Sequence, residues 1–201
     1  MKYLKLIVGQ LQTNCYLAWN EKTSDAIIID PGDDADFIIN KIRDHNLKPI
    51  FIVATHGHFD HILAVTELKL AYNLPFLLAK EDLFLLDRVE KSSARYTQTQ
   101  ADPPSPPDKF LEDGMTISIG NEKVRVIATP GHTPGSISLY QDNVLFSGDT
   151  LFYHDVGRTD LPYSSPKLLC SSLKTLFKLP PESQVLPGHG EESTIEEEKN
   201  R

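Results

Sequence analysis

Short apolar runs separated by polar stretches occupy the first thirty positions of the chain. The runs are Tyr3–Val8, Cys15–Trp19 and Ala26–Ile29, and polar residues such as those of Asn20–Asp25 divide them. Short runs rich in β-branched and aromatic residues, bounded by turn-forming residues, are typical of strands. The pattern therefore predicts an antiparallel meander of three strands.

The spacing of apolar residues then alternates between helical and strand-like. Ala35–His45 carries its apolar residues on one helical face, Ile50–Ala54 is a compact apolar run, and Ile62–Tyr72 is again amphipathic. These segments predict a helix, a buried strand and a second helix. A short strand at Phe76–Leu78 and a helix at Glu81–Val89 are predicted to follow.

A proline-rich loop is predicted at about residues 92–110, because Ser92–Lys109 shows neither helical nor strand periodicity. A loop of this length within a compact domain is usually a lid, a binding loop or a disordered segment. We weigh a lid and plain disorder equally. Arg95 and Tyr96 are the residues of this loop that could hold a ligand.

Two hairpins are predicted in the second half of the chain. One joins Thr116–Ile119 to Lys123–Ala128, and the other joins Ser136–Tyr140 to Val144–Phe146. Two groups of strands, each accompanied by helices, predict an α+β fold in which one sheet packs on the other and helices lie outside. The 201 residues suffice for one such domain, spanning 1–201.

Composition and charge exclude several classes of function. The formal net charge is −8, and an acidic chain without a basic stripe is a poor partner for nucleic acid. No stretch approaches the length of a membrane span, and the amino terminus lacks the apolar core of a signal peptide. The only cysteines, Cys15 and Cys170, provide no disulfide framework and are predicted to be buried. A cytoplasmic location is therefore expected.

The densest group of chemically active residues follows the predicted strand Ile50–Ala54. It has the pattern H-x-H-x-D-H, formed by His56, His58, Asp60 and His61. A single histidine at a strand end is usually incidental, and Asp60 is also placed to cap the helix predicted from Ile62. The whole pattern, however, concentrates nitrogen and oxygen ligands within six residues, which indicates a metal site.

Three further strands end in a glycine-containing turn that carries one potential ligand. These turns contain His132, Asp149 and His189. Taken singly, each of these glycines is an ordinary turn-forming residue, and the potential ligand beside it is incidental. Five of the seven histidines nevertheless lie in such turns, and strand ends from a rigid base can direct side chains to one point.

These motifs resemble the metallo-β-lactamase-fold hydrolases, and within them the compact branch of the glyoxalase II type. The resemblance covers nearly the whole chain and rests on T-H-G-H-F-D-H at 55–61, P-G-H-T-P-G-S at 130–136, S-G-D-T-L-F at 147–152, G-R-T-D at 157–160 and P-G-H-G at 187–190. It implies an αββα four-layer sandwich with a binuclear metal site at one edge of the sheets.

The same resemblance implies a ligand set. One metal would be held by His56, His58 and His132, the other by Asp60, His61 and His189, and Asp149 would bridge them. Two zinc ions per chain are expected, although imidazole and carboxylate also suit iron and manganese. A cysteine in place of Asp149 would be expected of the antibiotic-degrading branch, so the sequence favours a different activity.

The activity that the resemblance implies is hydrolysis of a small-molecule thioester, possibly a 2-hydroxyacyl conjugate of glutathione, by a metal-bound hydroxide. Asp60 would act as the catalytic residue that orients the hydroxide and handles its proton. The alternatives are a persulfide dioxygenase with one iron held by His56, His132 and Asp149, and a promiscuous hydrolase acting on β-lactams, phosphodiesters or nucleic acids. A metal-binding scaffold without turnover is disfavoured because no ligand is missing.

Three residues are expected to contact the substrate. Tyr153 and His154 lie where this family places such contacts, and Arg158 either binds a substrate carboxylate or forms a buried pair with Asp160. We favour the pair with Asp160. Only eleven residues follow Gly190, so the basic carboxy-terminal helical domain of glyoxalase II is not expected here. The sequence makes no prediction about oligomeric state.

Overall fold

A computed structural model describes residues 1–200, and its first sheet contains six strands in sequential order. The first three strands pair antiparallel, which confirms the predicted meander, and the remaining three continue the sheet in parallel. The strands are β1 Lys2–Val8, β2 Thr13–Trp19, β3 Asp25–Ile29, β4 Lys48–Val53, β5 Phe76–Ala79 and β6 Lys109–Leu111.

The second sheet also has six strands, in the order β14-β13-β10-β9-β8-β7. Both predicted hairpins are present, and Asp142 and Asn143 turn the second with φ angles of 47° and 62°, as a two-residue type I′ turn requires. The strands are β7 Thr116–Ile119, β8 Glu122–Ala128, β9 Ile137–Gln141, β10 Val144–Gly148, β13 Gln184–Pro187 and β14 Ser193–Thr194; β11 Leu151–Phe152 and β12 Asp155–Val156 form a separate hairpin.

The two sheets pack against each other in the middle of the molecule, because alternate side chains along each strand point to opposite faces of its sheet. In β3, Ile27 and Ile29 join Leu139 and Phe146 of the second sheet in the core between the sheets, whereas Ile28 points to the opposite side. The helices cover both outer faces: α1 and α2 on the first sheet, α5 and α6 on the second. The helices are α1 Ala35–Asp44, α2 Val65–Tyr72, α3 Leu83–Leu86, α4 Val89–Tyr96, α5 Pro166–Leu176 and α6 Ile195–Lys199. The αββα sandwich is thus confirmed.

The predicted start of the second helix is wrong. Phe59–His61 forms a 3₁₀ turn, and α2 begins only at Val65 with Ala64 as its N-cap residue. The expectation that Asp60 caps this helix is therefore also wrong. Its carboxylate instead lies 3.3 Å from Nε2 of His189, because ligand contacts across the fold compete with local capping.

The segment 81–110 differs from the prediction at both ends. A 3₁₀ turn at Lys80–Asp82 and the short α3 replace the single helix Glu81–Val89, and α4 extends into the stretch predicted as loop. The remaining loop is tied to α2, since Thr66 accepts from the Ser105 amide at 2.8 Å and Lys69 donates to Asp108 at 2.6 Å. These bonds argue against plain disorder of its carboxy-terminal half.

The two cysteines have different environments. Cys15 is buried in β2, as predicted, whereas Cys170 is exposed on the solvent side of α5, contrary to prediction. An amphipathic helix exposes one face, and Cys170 follows the buried Leu169 on it. Among residues 1–200, no helix is long and apolar enough to cross a membrane.

Candidate metal centre

The seven predicted ligand side chains lie together at one edge of the sandwich. Each follows the end of a strand from one of the two sheets, and the turns after β4, β8, β10 and β13 meet there. Carboxyl ends of strands form a common rim where side chains from distant segments can converge. Their donor atoms form three groups, each within 4.8 Å: His56, His58 and His132; His56, His61 and Asp149; Asp60, His61 and His189.

The first group brings three imidazole nitrogens to one point. Nδ1 of His58 lies 2.9 Å from Nε2 of His56 and 2.9 Å from Nε2 of His132. His132 uses its other nitrogen to donate to the Arg158 carbonyl at 2.9 Å, so its Nε2 carries a lone pair. Nε2 of His58 faces the hydroxyl of Tyr163 at 2.8 Å.

The tautomer of His56 follows from its neighbours. The Thr55 hydroxyl donates to Asp30 at 2.7 Å and therefore accepts from Nδ1 of His56 at 3.2 Å. Nε2 of His56 is then also a lone-pair donor. Lone pairs this close repel one another unless a cation lies between them, and outer hydrogen bonds of this kind orient histidine ligands.

The group of Asp60, His61 and His189, called the second group from here on, also brings two imidazole nitrogens together. Nε2 of His61 lies 3.2 Å from Nε2 of His189, while Nδ1 of His189 donates to the Leu11 carbonyl at 3.1 Å. Nδ1 of His61 lies 3.1 Å from the Asp30 carboxylate. The turn that carries His189 is fixed by the buried Asn14, whose amide donates to two carbonyls of that turn at 2.9 and 3.0 Å.

Asp149 lies between the two groups. Its Oδ1 is 3.5 Å from Nε2 of His61, and its Oδ2 is 3.6 Å from Nε2 of His132. Oδ1 is buried and has no hydrogen-bond partner among residues 1–200. A side chain at position 188 would collide with this oxygen and with the His61 ring, so Gly188 leaves the centre open. An unpartnered carboxylate oxygen beside convergent lone pairs fits a bound cation.

Burial and neighbouring charges divide the site into neutral and charged groups. Burial and nearby imidazoles lower the pKa of His58 to about 3 and the pKa of His56 well below its usual value. Burial alone would lower the pKa of His61, but carboxylates led by Asp149 and Asp60 raise it to about 10. Burial likewise opposes ionisation of Asp60, yet His61 and His189 lower its pKa. The part of the site around Asp60 and Asp149 therefore stabilises positive charge, either on His61 or on a bound cation.

The three residues expected to contact substrate have different environments. Tyr153 lines a cleft of about 300 Å³ together with His189, whereas His154 lies against Glu198 at 3.8 Å. Arg158 pairs with Asp160 through two bonds of 2.7 Å, as favoured. The pair is exposed, not buried as predicted, with 53% and 67% of the side chains accessible, because its turn lies at the rim of the sandwich.

Three residues that support the ligands were missed. Asp30 and Asp82 are buried carboxylates that follow β3 and β5, and Tyr163 lies beyond the G-R-T-D segment. Asp82 accepts from Thr133 and from the amides of Gly57 and Gly135; burial raises its pKa, which these bonds oppose. The sequence feature that could have indicated Asp30 and Asp82 is that each follows the end of a predicted strand, as the ligands do.

Comparison with known proteins agrees with the fold. Residues 8–189 match the family model of the metallo-beta-lactamase superfamily. The chain is similar to hydroxyacylglutathione hydrolase GloC of Haemophilus influenzae, with 33% identity over 196 residues that cover 96% of this chain and 92% of that protein.

Two solved structures are similar along almost the whole chain. BLEG-1 B3 metallo-beta-lactamase has 36% identity and a TM-score of 0.92, covering 100% of this chain and 97% of that one. TTHA1623 in a di-iron-bound form has 38% identity and a TM-score of 0.89, covering 98% and 96%. The chain belongs to the metallo-β-lactamase superfamily. Within that superfamily it is a metallo-hydrolase.

Proposed function

We propose that this protein is a binuclear metal-dependent thioesterase that cleaves S-2-hydroxyacylglutathione. The observation that carries the proposal is the position of Asp149, whose two oxygens lie 3.5 Å from Nε2 of His61 and 3.6 Å from Nε2 of His132, in separate ligand groups. A carboxylate with two free oxygens can serve two cations at once. The similarity to GloC supports the substrate class.

The residues divide into two metal sites in this proposal. His56, His58 and His132 would hold one ion through neutral imidazoles, and Asp60, His61 and His189 would hold the other. Zinc fits these donors, and iron and manganese accept the same ligands. When bound, such a pair lowers the pKa of water to roughly 7 and so supplies a nucleophile near neutral pH.

Asp60 has the properties of the residue that holds the attacking water. Its Oδ2 lies 3.3 Å from Nε2 of His189 and 3.7 Å from Nε2 of His61. Its lowered pKa keeps it ionised, so it accepts the hydrogen bond that orients the nucleophile. The new C–O bond forms at the thioester carbonyl, the C–S bond breaks, and the thiolate leaves without requiring an acid.

A cleft on one side of the centre and polar side chains on the other support the assignment. On the His189 side, the cleft of about 300 Å³ is lined by Phe152 and Tyr153. On the His58 side, the rim carries Tyr163 and the exposed Arg158. We place the acyl and thiol arms on these two sides and retain Tyr153, His154 and Arg158 as proposed substrate contacts.

A persulfide dioxygenase is the alternative with one iron, and it would require only His56, His132 and Asp149. Asp60, His61 and His189 form an additional convergent group, which favours hydrolysis with two ions. β-Lactam hydrolysis is the second candidate, because BLEG-1 B3 metallo-beta-lactamase is 36% identical to this chain.

The test is metal analysis and S-lactoylglutathione hydrolysis on one purified sample. We expect two ions per chain and turnover, with turnover lost in Asp60→Asn and His58→Ala. Wild-type hydrolysis in either variant would contradict the proposed site. Oxygen uptake with glutathione persulfide and one iron per chain would instead establish the dioxygenase, and turnover of a β-lactam without thioester hydrolysis would establish the second candidate.

A further inference from the structure

Asp82 connects the two loops that carry the first ligand group. Its Oδ2 accepts from the Gly57 amide at 2.8 Å and from the Thr133 hydroxyl at 2.7 Å, and its Oδ1 accepts from the Gly135 amide at 2.7 Å. Three donors on two oxygens use the group purely as an acceptor, as an ionised carboxylate acts. Asp82 is fully buried.

Two of the three partners of Asp82 are directly adjacent to ligands of the first group, and the third, Gly135, lies three positions after His132. Gly57 separates His56 from His58, and Thr133 follows His132 directly. Neither Asp60 nor His189 has a neighbour within two residues that bonds to Asp82. The carboxylate therefore fixes the backbone on both sides of the first centre and leaves the second centre to Asp30 and Asn14.

The loops are shaped to admit this carboxylate. A Cβ atom at position 135 would lie 2.7 Å from Cγ of Asp82, closer than side chains tolerate, so the close approach requires Gly135. Thr133 is itself held, since its hydroxyl lies 2.7 Å from that of Ser136, which accepts from the Thr133 amide at 3.0 Å. Ser136, Thr133 and Asp82 thus form one buried chain of hydrogen bonds.

We infer that Asp82 is a positioning residue that presets the His56, His58 and His132 centre for its metal ion. It touches neither metal nor substrate, and acts by holding the two loops at the separation the three imidazoles need. The inference rests on the metal-holding part of the proposed function, not on the thioesterase activity. It predicts a selective effect, in which one centre weakens and the other does not.

The experiment measures zinc affinity by chelator competition in two backgrounds. His189→Ala leaves only the first centre complete, and His132→Ala leaves only the second. Asp82→Asn is introduced into each. In either orientation of the asparagine amide, its NH₂ group faces one of the three donors that Asp82 accepts from, so at least one hydrogen bond is lost. We expect zinc affinity to fall 10- to 100-fold in the first background, as for other outer-sphere partners, and less than about 3-fold in the second.

Asp108→Asn is the matched control. Like Asp82, Asp108 accepts a backbone amide, but its donor is Phe76 at 2.7 Å, at the start of β5, whereas Asp82 follows the end of that strand. We expect this change to leave zinc affinity unaltered in both backgrounds. If Asp82→Asn prevents folding, Thr133→Val removes one of the three bonds and should weaken the first centre about 3- to 10-fold.

The outcomes separate the inference from the proposed function. Unchanged affinity of the first centre, or equal losses in both backgrounds together with a lower melting temperature, would overturn the positioning role. Failure of the parent His189→Ala and His132→Ala proteins to bind zinc would overturn the metal sites themselves. Selective weakening of the first centre would support Asp82 as its organiser.

Discussion

Asp30 stands directly behind His61, with its Oδ2 3.1 Å from Nδ1 of the imidazole whose Nε2 faces the metal centre. The same carboxylate accepts the Thr55 amide at 2.6 Å and the Thr55 hydroxyl at 2.7 Å. A buried carboxylate in this position sets the orientation of a histidine and raises its basicity as a ligand. Asp30 thus joins the end of β3 to the centre.

Replacing Asp30 should therefore weaken the second centre. For Asp30→Asn we expect a 10- to 100-fold loss of zinc affinity, because the amide no longer supports His61 as the carboxylate does. Asp25→Asn is the control, since Asp25 begins the same strand at the end away from the site. Zinc affinity equal to wild type in Asp30→Asn would show that the pairing with His61 has no effect on binding.

Metal binding should release protons. Neighbouring carboxylates raise the pKa of His61 to about 10, so the metal-free protein holds that proton at pH 7.5. Ligation requires the lone pair, and the ion displaces the proton. Affinity should consequently fall as the pH is lowered.

Calorimetric zinc titrations at pH 7.5 in buffers of different ionisation enthalpy measure this release. We expect at least one proton per chain, and less release in His61→Ala. Binding enthalpies that do not vary with the buffer would contradict the charge assignment.

Tyr163 should act through His58. Its hydroxyl lies 2.8 Å from Nε2 of His58, and its ring packs edge-on against Phe84 with centroids 5.3 Å apart. Tyr163→Phe keeps the ring and removes the hydrogen bond, which is worth roughly 1 kcal/mol. We expect zinc affinity at the first centre to fall about 5-fold with little change in melting temperature. A fall in stability without a change in affinity would assign Tyr163 a packing role only.

Gly188 should be intolerant of any side chain. A Cβ atom there would collide with Oδ1 of Asp149 and lie 2.8 Å from the His61 ring, so Gly188→Ala should abolish binding of at least one ion. Gly190→Ala is the control, because nothing lies within 4 Å of its Cβ position although its φ is +76°. The control should lose some stability through backbone strain but keep both ions. Two ions retained in Gly188→Ala would refute the close approach of Asp149.

The ligands could be predicted from sequence because each belongs to a short local motif at a strand end. The apolar run Ile50–Ala54 predicted a buried strand, and the histidines that follow it needed only a common edge to meet. The supporting residues could not be found in this way. Asp82 reaches Gly135 across 53 positions, and Tyr163 reaches His58 across 105, so only tertiary packing brings them together.

The predictions from sequence failed where tertiary packing decided the role or the exposure of a residue. Asp60 is a good helix-capping residue, but imidazoles from distant strands attract its carboxylate more strongly, and the helix starts later. Arg158 and Asp160 do pair, but burial of that pair depended on the path of a turn at the rim. Exposure of Cys170 likewise depended on which face of α5 packs on the sheet.

In the proposed centre, seven side chains hold two metal ions that share Asp149. A crystal structure of the zinc-loaded protein with anomalous diffraction at the zinc edge tests it most directly. We expect two anomalous peaks, one among His56, His58 and His132 and one among Asp60, His61 and His189, with Asp149 touching both. A single peak, or peaks away from these residues, would contradict a binuclear centre bridged by Asp149.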